Sequence, residues 1–378
     1  MSWFKQTLAN VAGTQEPIYG PSAIQTVTQQ AKETPYTEIT AEDLKWHVAG
    51  GTCVETQTFY FQTDDGKVCM AQVIYSSVMG VRTTCQFNTK IFDHDGPGKH
   101  QWLADGLNNH RIDEKRTGFH AANLTVDLDT EGTMYRVSSQ VNNENLVDFT
   151  IKRECPGFVA GENGTSFYGT DPNNPWGQMR HAFWPRCSVT GTMKTKTKEY
   201  NLAGRGVFIH ALQGYKPHHL AARWNFVNIQ TPTYSAIMME FTTPPSYGKT
   251  TVNVGCIARD GEIVIAGGGC DIKHLAAVPD SVSNWPEPKA IMATWSGKTK
   301  TGEAVTAELT GDLGDRADRV DVLAHVPGVV KNIIGGVAGT KPIIFQYIGD
   351  GKMHLKIVEG GKETSESGRF FSEATFIS

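Results

Sequence analysis

The densest run of chemically capable side chains in this 378-residue sequence is NNPWGQMRHAFWPRC, residues 173–187. It packs Trp176, Met179, Arg180, His181, Phe183 and Trp184 between Pro175 and Pro185, with Arg186 directly after. Aromatic rings beside Arg and His suit a pocket for a molecule with an apolar body and a polar head. They suit equally a plug between domains or at the end of a barrel, with the rings filling core and Arg180 satisfying carbonyls, and spacing alone leaves both readings open. A second run, YKPHHLAARWNFVNIQ at 215–230, carries adjacent histidines. Sequence neighbours project to opposite faces of a strand, or about 100° apart on a helix, so His218 and His219 are poorly placed to chelate one ion together. DHDGPGKH at 93–100 lacks the EF-hand register of oxygen ligands and a closing Glu, and reads as a solvated hairpin loop.

Signatures of catalysis are missing. There is no GxGxxG after a strand, no Walker loop despite GVAGTK at 336–341, no GxSxG and no HExxH. Carboxylate pairs such as Asp148 and Glu154 have no spacing that selects them for acid–base work. Neither a cofactor nor a metal is implied.

The elements that must position these runs have a period of two. Thr83, Cys85, Phe87, Thr89 and Ile91 alternate with Thr84, Gln86, Asn88 and Lys90, the pattern of a half-buried strand. Leu124, Val126 and Leu128 alternate with polar residues before the turn DTEG and MYRVSSQV, which predicts a hairpin. Similar alternation runs through LVDFTIK, CSVTGTMKTKT, YSAIMMEFTT, TTVNVGCIA and KMHLKIV. Helical windows are few, the best being VPGVVKNIIGGVAG at 326–339 despite its glycines. Many strands and short Gly-containing turns predict a mostly β protein, a sandwich or barrel. FYFQTDDGKVCMAQVIY (59–75) and MEFTTPPSYGKTTVNVGCI (239–257) echo one another as strand, Gly-Lys turn and strand. One such echo in each half fits two β domains, 51–216 and 217–378, preceded by a linker with a short helical segment over 14–50.

Composition sets further limits. With 39% hydrophobic and 20% charged residues the chain can bury a large core. A formal net charge of −4 with scattered Lys and Arg excludes the basic field that draws proteins to nucleic acid. Seven widely spaced cysteines without CxxC read as reduced core thiols of a cytosolic protein. The first residues, MSWFKQTLANVAG, place Met1, Phe4, Leu8, Val11 and Ala12 on one helical stripe with Trp3 at its edge, and Ser2, Gln6, Asn10 and Gly13 opposite. That is an amphipathic helix over residues 1–13. Its interrupted apolar run is unlike a secretory signal, and no stretch of the chain reaches the roughly 20 apolar residues of a spanning helix.

Several words of the sequence, namely EPIYG (16–20), VETQTFYF (54–61), PWGQMRHAFWPR (175–186), GYKPHHLAARWNFVN (214–228), YSAIMMEFTTPPSYG (234–248), NIIGGVAGTKP (332–342) and SEATFIS (372–378), together resemble the fungal survival factor family. The resemblance spans nearly the whole chain. It implies two tandem lipocalin-like domains behind the N-terminal amphipathic helix, and non-enzymatic carriage of ceramide between endoplasmic reticulum and Golgi, with survival under oxidative stress as the wider phenotype. It also implies a cytoplasmic protein, peripheral on those membranes and admissible to the nucleus, that docks through Met1, Trp3, Phe4, Lys5, Leu8 and Val11. Full burial of such side chains is worth about 1.5–3 kcal/mol each, against the cost of ordering a helix that is marginal alone in water, so docking is expected to be weak and reversible. With Lys5 the one basic side chain of the segment, docking should answer to lipid packing more than to anionic charge. The same helix could instead lie in a groove of the protein itself.

For a ceramide the candidates for wall or mouth are Trp176, Met179, Phe183, Trp184, Trp224, Phe226, Met238 and Met239. Candidates for the polar end are Arg180, His181, His218 and His219. The enzymatic alternative is a tandem-lipocalin cyclase or hydratase acting on an apolar molecule. A buried carboxylate with a perturbed pKa facing the cavity would favour it.

Overall fold

The computed structural model describes residues 17–80, 82–93, 96, 99–322 and 342–378. The proposed N-terminal helix, with Met1, Trp3, Phe4, Lys5, Leu8 and Val11, and the helical window at 326–339 lie outside them.

The described chain is mostly β, arranged as two antiparallel sheets. The first runs His100–Gly106, Arg82–Phe92, Val68–Val78, Cys53–Thr63, Gly204–Gln213, Gly177–Thr195, Asn145–Arg153, Met134–Asn142 and Leu124–Leu128, continuing through Phe119–Ala121 to Arg111–Ile112. The second runs Glu262–Gly267, Thr251–Arg259, Tyr234–Thr242, Arg223–Gln230, Lys362–Phe376, Ile343–Glu359, Ala304–Asp312, Pro286–Lys298 and Cys270–Pro279. The two orders match strand for strand over these nine positions, and in each sheet the first long strand pairs with both the second and the last. By this correspondence Cys53–Thr63 is equivalent to Arg223–Gln230. The echo between 59–75 and 239–257 therefore aligns hairpins that are one strand out of step, and the repeat lives in the topology.

Each sheet curls into a half-barrel. Phe59 meets Tyr135, four strands away along the first sheet, with ring centroids 5.5 Å apart. Trp295 Nε1 donates to Ile237 O at 2.9 Å, five strands away along the second. The first interior is filled with rings: Phe59, Phe61, Tyr135, Phe149, Trp184 and Phe208 stand 4.6–5.5 Å apart. Val227, Ile229, Met238, Trp295, Phe345, Tyr347 and Phe370 fill the second. A third core lies where the sheets face one another and holds Tyr60, Phe92, Met179, Phe183, Phe226, Phe241 and Phe371.

Alternation along single strands supplies these layers. Cys53–Thr63 sends Phe59 and Phe61 into the first barrel and Tyr60 between the sheets; Arg223–Gln230 sends Phe226 between the sheets and Val227 and Ile229 into the second barrel. Arg82–Phe92 departs from the predicted half-buried pattern, because Asn88 and Lys90 on its polar face are also buried. The second sheet covers that face, and Lys90 pairs with Asp318 and Gln346 across the gap.

Residues 14–50, expected to be a linker with a short helical segment, include in their described part, from 17 on, a one-turn helix, Val27–Gln30, capped by Thr26 and Gln29. The segment is also built into both halves. Ile24–Gln25 and Tyr36–Glu38 add to the first sheet, while Thr28 Oγ1 donates to Asn253 O at 3.2 Å in the second. Leu44 and Trp46 are fully buried in the first barrel. Gly267 lets this segment approach: its φ is +133°, and a Cβ there would lie 2.6 Å from Pro35 O. All seven cysteines are unpaired and buried. Burial pushes the thiols of Cys69, Cys85 and Cys155 up to about 12, which leaves them inert.

Candidate functional site

Residues 177–187 of the run lie in a central strand, Gly177–Thr195, whose rings fill core on both of its faces. Pro185 is accommodated at a break in register between Trp184 and Cys187, the kind of place a sheet interior tolerates proline. Alternation divides the strand's candidates. His181 and Phe183 face the second sheet; Arg180 and Trp184 face the first barrel, where Arg180 Nη2 donates to Asp43 O at 2.9 Å. Arg223–Gln230 and Tyr234–Thr242 are divided likewise. Their residues Phe226 and Met239 are partners in register, and both face the first sheet.

These facing residues line a half-open cavity of about 340 Å³ between the two sheets. Tyr60, Ile209, Ala211, Trp224, Phe226, Met239 and Ile344 form its apolar wall. Polar groups enter at intervals: Thr58 and Gln72, joined by a 2.8 Å hydrogen bond, then His181, His218, Asn225 and Glu373. Thr56, Gln213, Pro217, Val322, Pro342, Thr375 and Ile377 complete the lining. Of the candidates for a lipid site, the structure brings together His181, His218, Trp224, Phe226 and Met239.

The other candidates lie elsewhere. Met179 and Phe183 are in the inter-sheet core away from the cavity, with Phe183 stacked on Phe158 at 5.2 Å. Trp184 packs inside the first barrel and Met238 inside the second. Trp176 is at the surface, where its Nε1 donates to Tyr247 Oη at 3.0 Å. His219 stands against Tyr215 and His218 in the one-turn helix Pro217–Leu220.

Electrostatics make the chamber suited to a neutral guest. Burial, with Arg180 adding repulsion, holds the His181 imidazole down to about 3; burial and the neighbouring His219 hold His218 to about 4. Both rings are neutral at pH 7. His181 meets the edge of Trp224 at 5.8 Å, and His218 Nδ1 is buried without a hydrogen bond among the described residues. Burial raises the Glu373 carboxyl above the usual range, opposed by a hydrogen bond from Gln346 and the charge of Lys90. Glu373 is the chamber's main polar feature, and motif reading missed it. The only signal was an acid among apolar residues in FFSEATF.

A second pocket, about 250 Å³, lies against Arg223, Asn225, Glu240 and His274. Trp224, Ile272, Pro286 and Phe376 give it an apolar side as well. Asn225 Nδ2 donates to Glu240 at 3.1 Å, and with the amide so oriented Asn225 Oδ1 accepts from His274 Nε2 at 2.8 Å.

Comparison with known proteins decides the family. The profile of the Svf1 family matches residues 1–378. The chain belongs to the Svf1 family. It is 56% identical over 396 aligned residues to the ceramide-binding protein svf1 of Aspergillus fumigatus, covering 100% of each. It is 38% identical over 381 aligned residues to the ceramide-binding protein svf1 of Schizosaccharomyces pombe, again covering 100% of each. Among solved structures, CghA with Sch210972 superposes with a TM-score of 0.57 at 11% identity, covering 91% of this chain and 99% of that one. Kievitone hydratase from Nectria haematococca superposes with a TM-score of 0.55 at 12% identity, covering 96% and 98%. Identities that low establish a shared fold and nothing of chemistry.

Proposed function

We propose that this Svf1-family chain binds a ceramide in the cavity between its two sheets and carries it without transforming it. The observation that carries this reading is the chamber walled by Tyr60, Ile209, Trp224, Phe226 and Met239, with neutral His181 and His218 and a single carboxyl. Relatives across the full chain length bear the name ceramide-binding protein, which supports the same ligand. At about 340 Å³ the cavity is near the small end of the roughly 300–1,000 Å³ of ligand sites, so it takes the head and the adjoining part of the chains.

On this reading the protein works in the cytoplasm, and at times in the nucleus. Residues 1–13 set it down reversibly on endoplasmic reticulum and Golgi membranes for transfer between them, which underlies survival under oxidative stress. Native mass spectrometry of the full chain mixed with a short-chain ceramide tests the binding step. A one-to-one complex that survives removal of residues 1–13 is the expected result; a chain that stays empty sinks the reading.

Glu373 favours a second reading, an enzyme of the hydratase or cyclase kind, because a raised carboxyl facing an apolar chamber is also the equipment of an acid catalyst. Lipid recovered chemically unchanged after prolonged incubation supports carriage. Conversion that Glu373→Gln abolishes supports the enzyme.

A further inference from the structure

A carboxyl in an apolar chamber is costly unless something holds it, so what holds Glu373 shows what it is for. The Lys90 side chain is 2% exposed and lies 4.9 Å from the ring centroids of both Phe92 and Trp102. It reaches across from the first sheet to donate to Asp318 and, at 2.6 Å, to Gln346 Oε1. An ammonium group only donates, so Lys90 fixes the Gln346 amide with its oxygen toward the lysine and its NH2 pointing away. That NH2 donates to Glu373 Oε2. The orientation is thereby passed along the chain: Glu373 is an acceptor on Oε2, while Oε1 has no partner among the described residues. His100, 3.4 Å from Asp318, closes the outer end of the relay. At its inner end Glu373 stands beside Phe226, its partner in register, within the wall of the cavity.

We propose that Glu373 is the specificity-determining residue of the cavity: Oε1 accepts hydrogen bonds from a lipid headgroup, and the Lys90–Gln346 relay holds it in place to do so. The ligand class that fits is a neutral amphiphile with several O–H and N–H donors clustered at its head. A ceramide, with two hydroxyls and an amide N–H, satisfies this; a diacylglycerol of the same chains, with one hydroxyl and two ester groups, satisfies it poorly. This inference rests on the lipid-binding reading above.

The test measures binding of a short-chain ceramide and a chain-matched diacylglycerol to the full chain, to Glu373→Gln and to Lys90→Met, with Tm recorded for each. The wild-type chain should prefer ceramide. Glu373→Gln should lose about 10-fold in ceramide affinity, the scale of one hydrogen bond, while diacylglycerol affinity moves less than about 3-fold. Lys90→Met should narrow the preference in the same direction. Ceramide binding by Glu373→Gln at the wild-type level overturns the proposal. So does equal loss of both lipids, because the residue would then merely support the cavity. A wild-type chain that binds neither lipid brings down the lipid-binding reading itself, an outcome distinct from both.

Discussion

Phe226 and Met239 are partners in register on neighbouring strands, and both line the cavity. A larger ring at 239 grows into existing space and displaces no packed core. Met239→Trp should therefore lower ceramide affinity at least about tenfold, or about 1.4 kcal/mol, while Tm moves less than about 4 °C. Titration with a short-chain ceramide beside a melting curve reads both. His181 makes a different prediction. Its folded pKa of about 3 lies below the unfolded value near 6.5, so as pH falls through 6.5 the unfolded chain takes up a proton that the folded chain refuses. Stability from this group is complete above pH 6.5 and declines toward pH 3 by about 1.4 kcal/mol per pH unit. In urea unfolding between pH 7 and 5, His181→Phe should flatten the slope by about one proton; an unchanged slope would refute the assignment. These residues were only partly legible in the sequence. Trp224, Phe226, Met239, His181 and His218 were among the candidates, and so were Trp184 and Met238, which point into the barrels. The strands concerned are buried on both faces, so apolar character does not report which face a residue takes.

At the level of elements, the two sheets are joined by buried charge as well as by rings. Arg186, fully buried on the strand Gly177–Thr195, pairs with Asp260 at 2.5 Å. It also donates to Thr231 O, Ser235 Oγ and Pro232 O in the second half. Removing it strands buried carbonyls, at about 1–3 kcal/mol for each unsatisfied group. Arg186→Met should thus cost about 3 kcal/mol in denaturant unfolding. A cost under about 0.5 kcal/mol would mean that this junction does not hold the halves together. The strands themselves were readable, because period-two alternation is local: the hairpin from Leu124 to Val141 needed only its own residues. The long-range features were not. Lys90 and Asn88 read as solvent-facing because their cover, carrying Asp318 and Gln346, comes from more than 220 residues later in the chain. Segment 14–50 read as a linker because its polar residues gave no sign that Leu44 and Trp46 anchor it.

For the whole molecule, duplication explains the location of the cavity. Each half-barrel uses its concave face to build a core of buried apolar side chains. Each then presents a second apolar face, and the two are packed together imperfectly, with the chamber as the gap. Two tandem β domains were foreseeable from the sequence, whereas the placing of a site between them depends on which side chains fill each barrel. The most direct test of that placement is photocrosslinking of the full chain with a ceramide bearing a photoreactive group near its head, followed by peptide mapping. Label confined to peptides holding Trp224, Phe226, Met239 and Glu373 is the predicted result. Label on Phe59, Phe149 and Phe208 inside the first barrel, or on Trp295 and Tyr347 inside the second, would contradict the account.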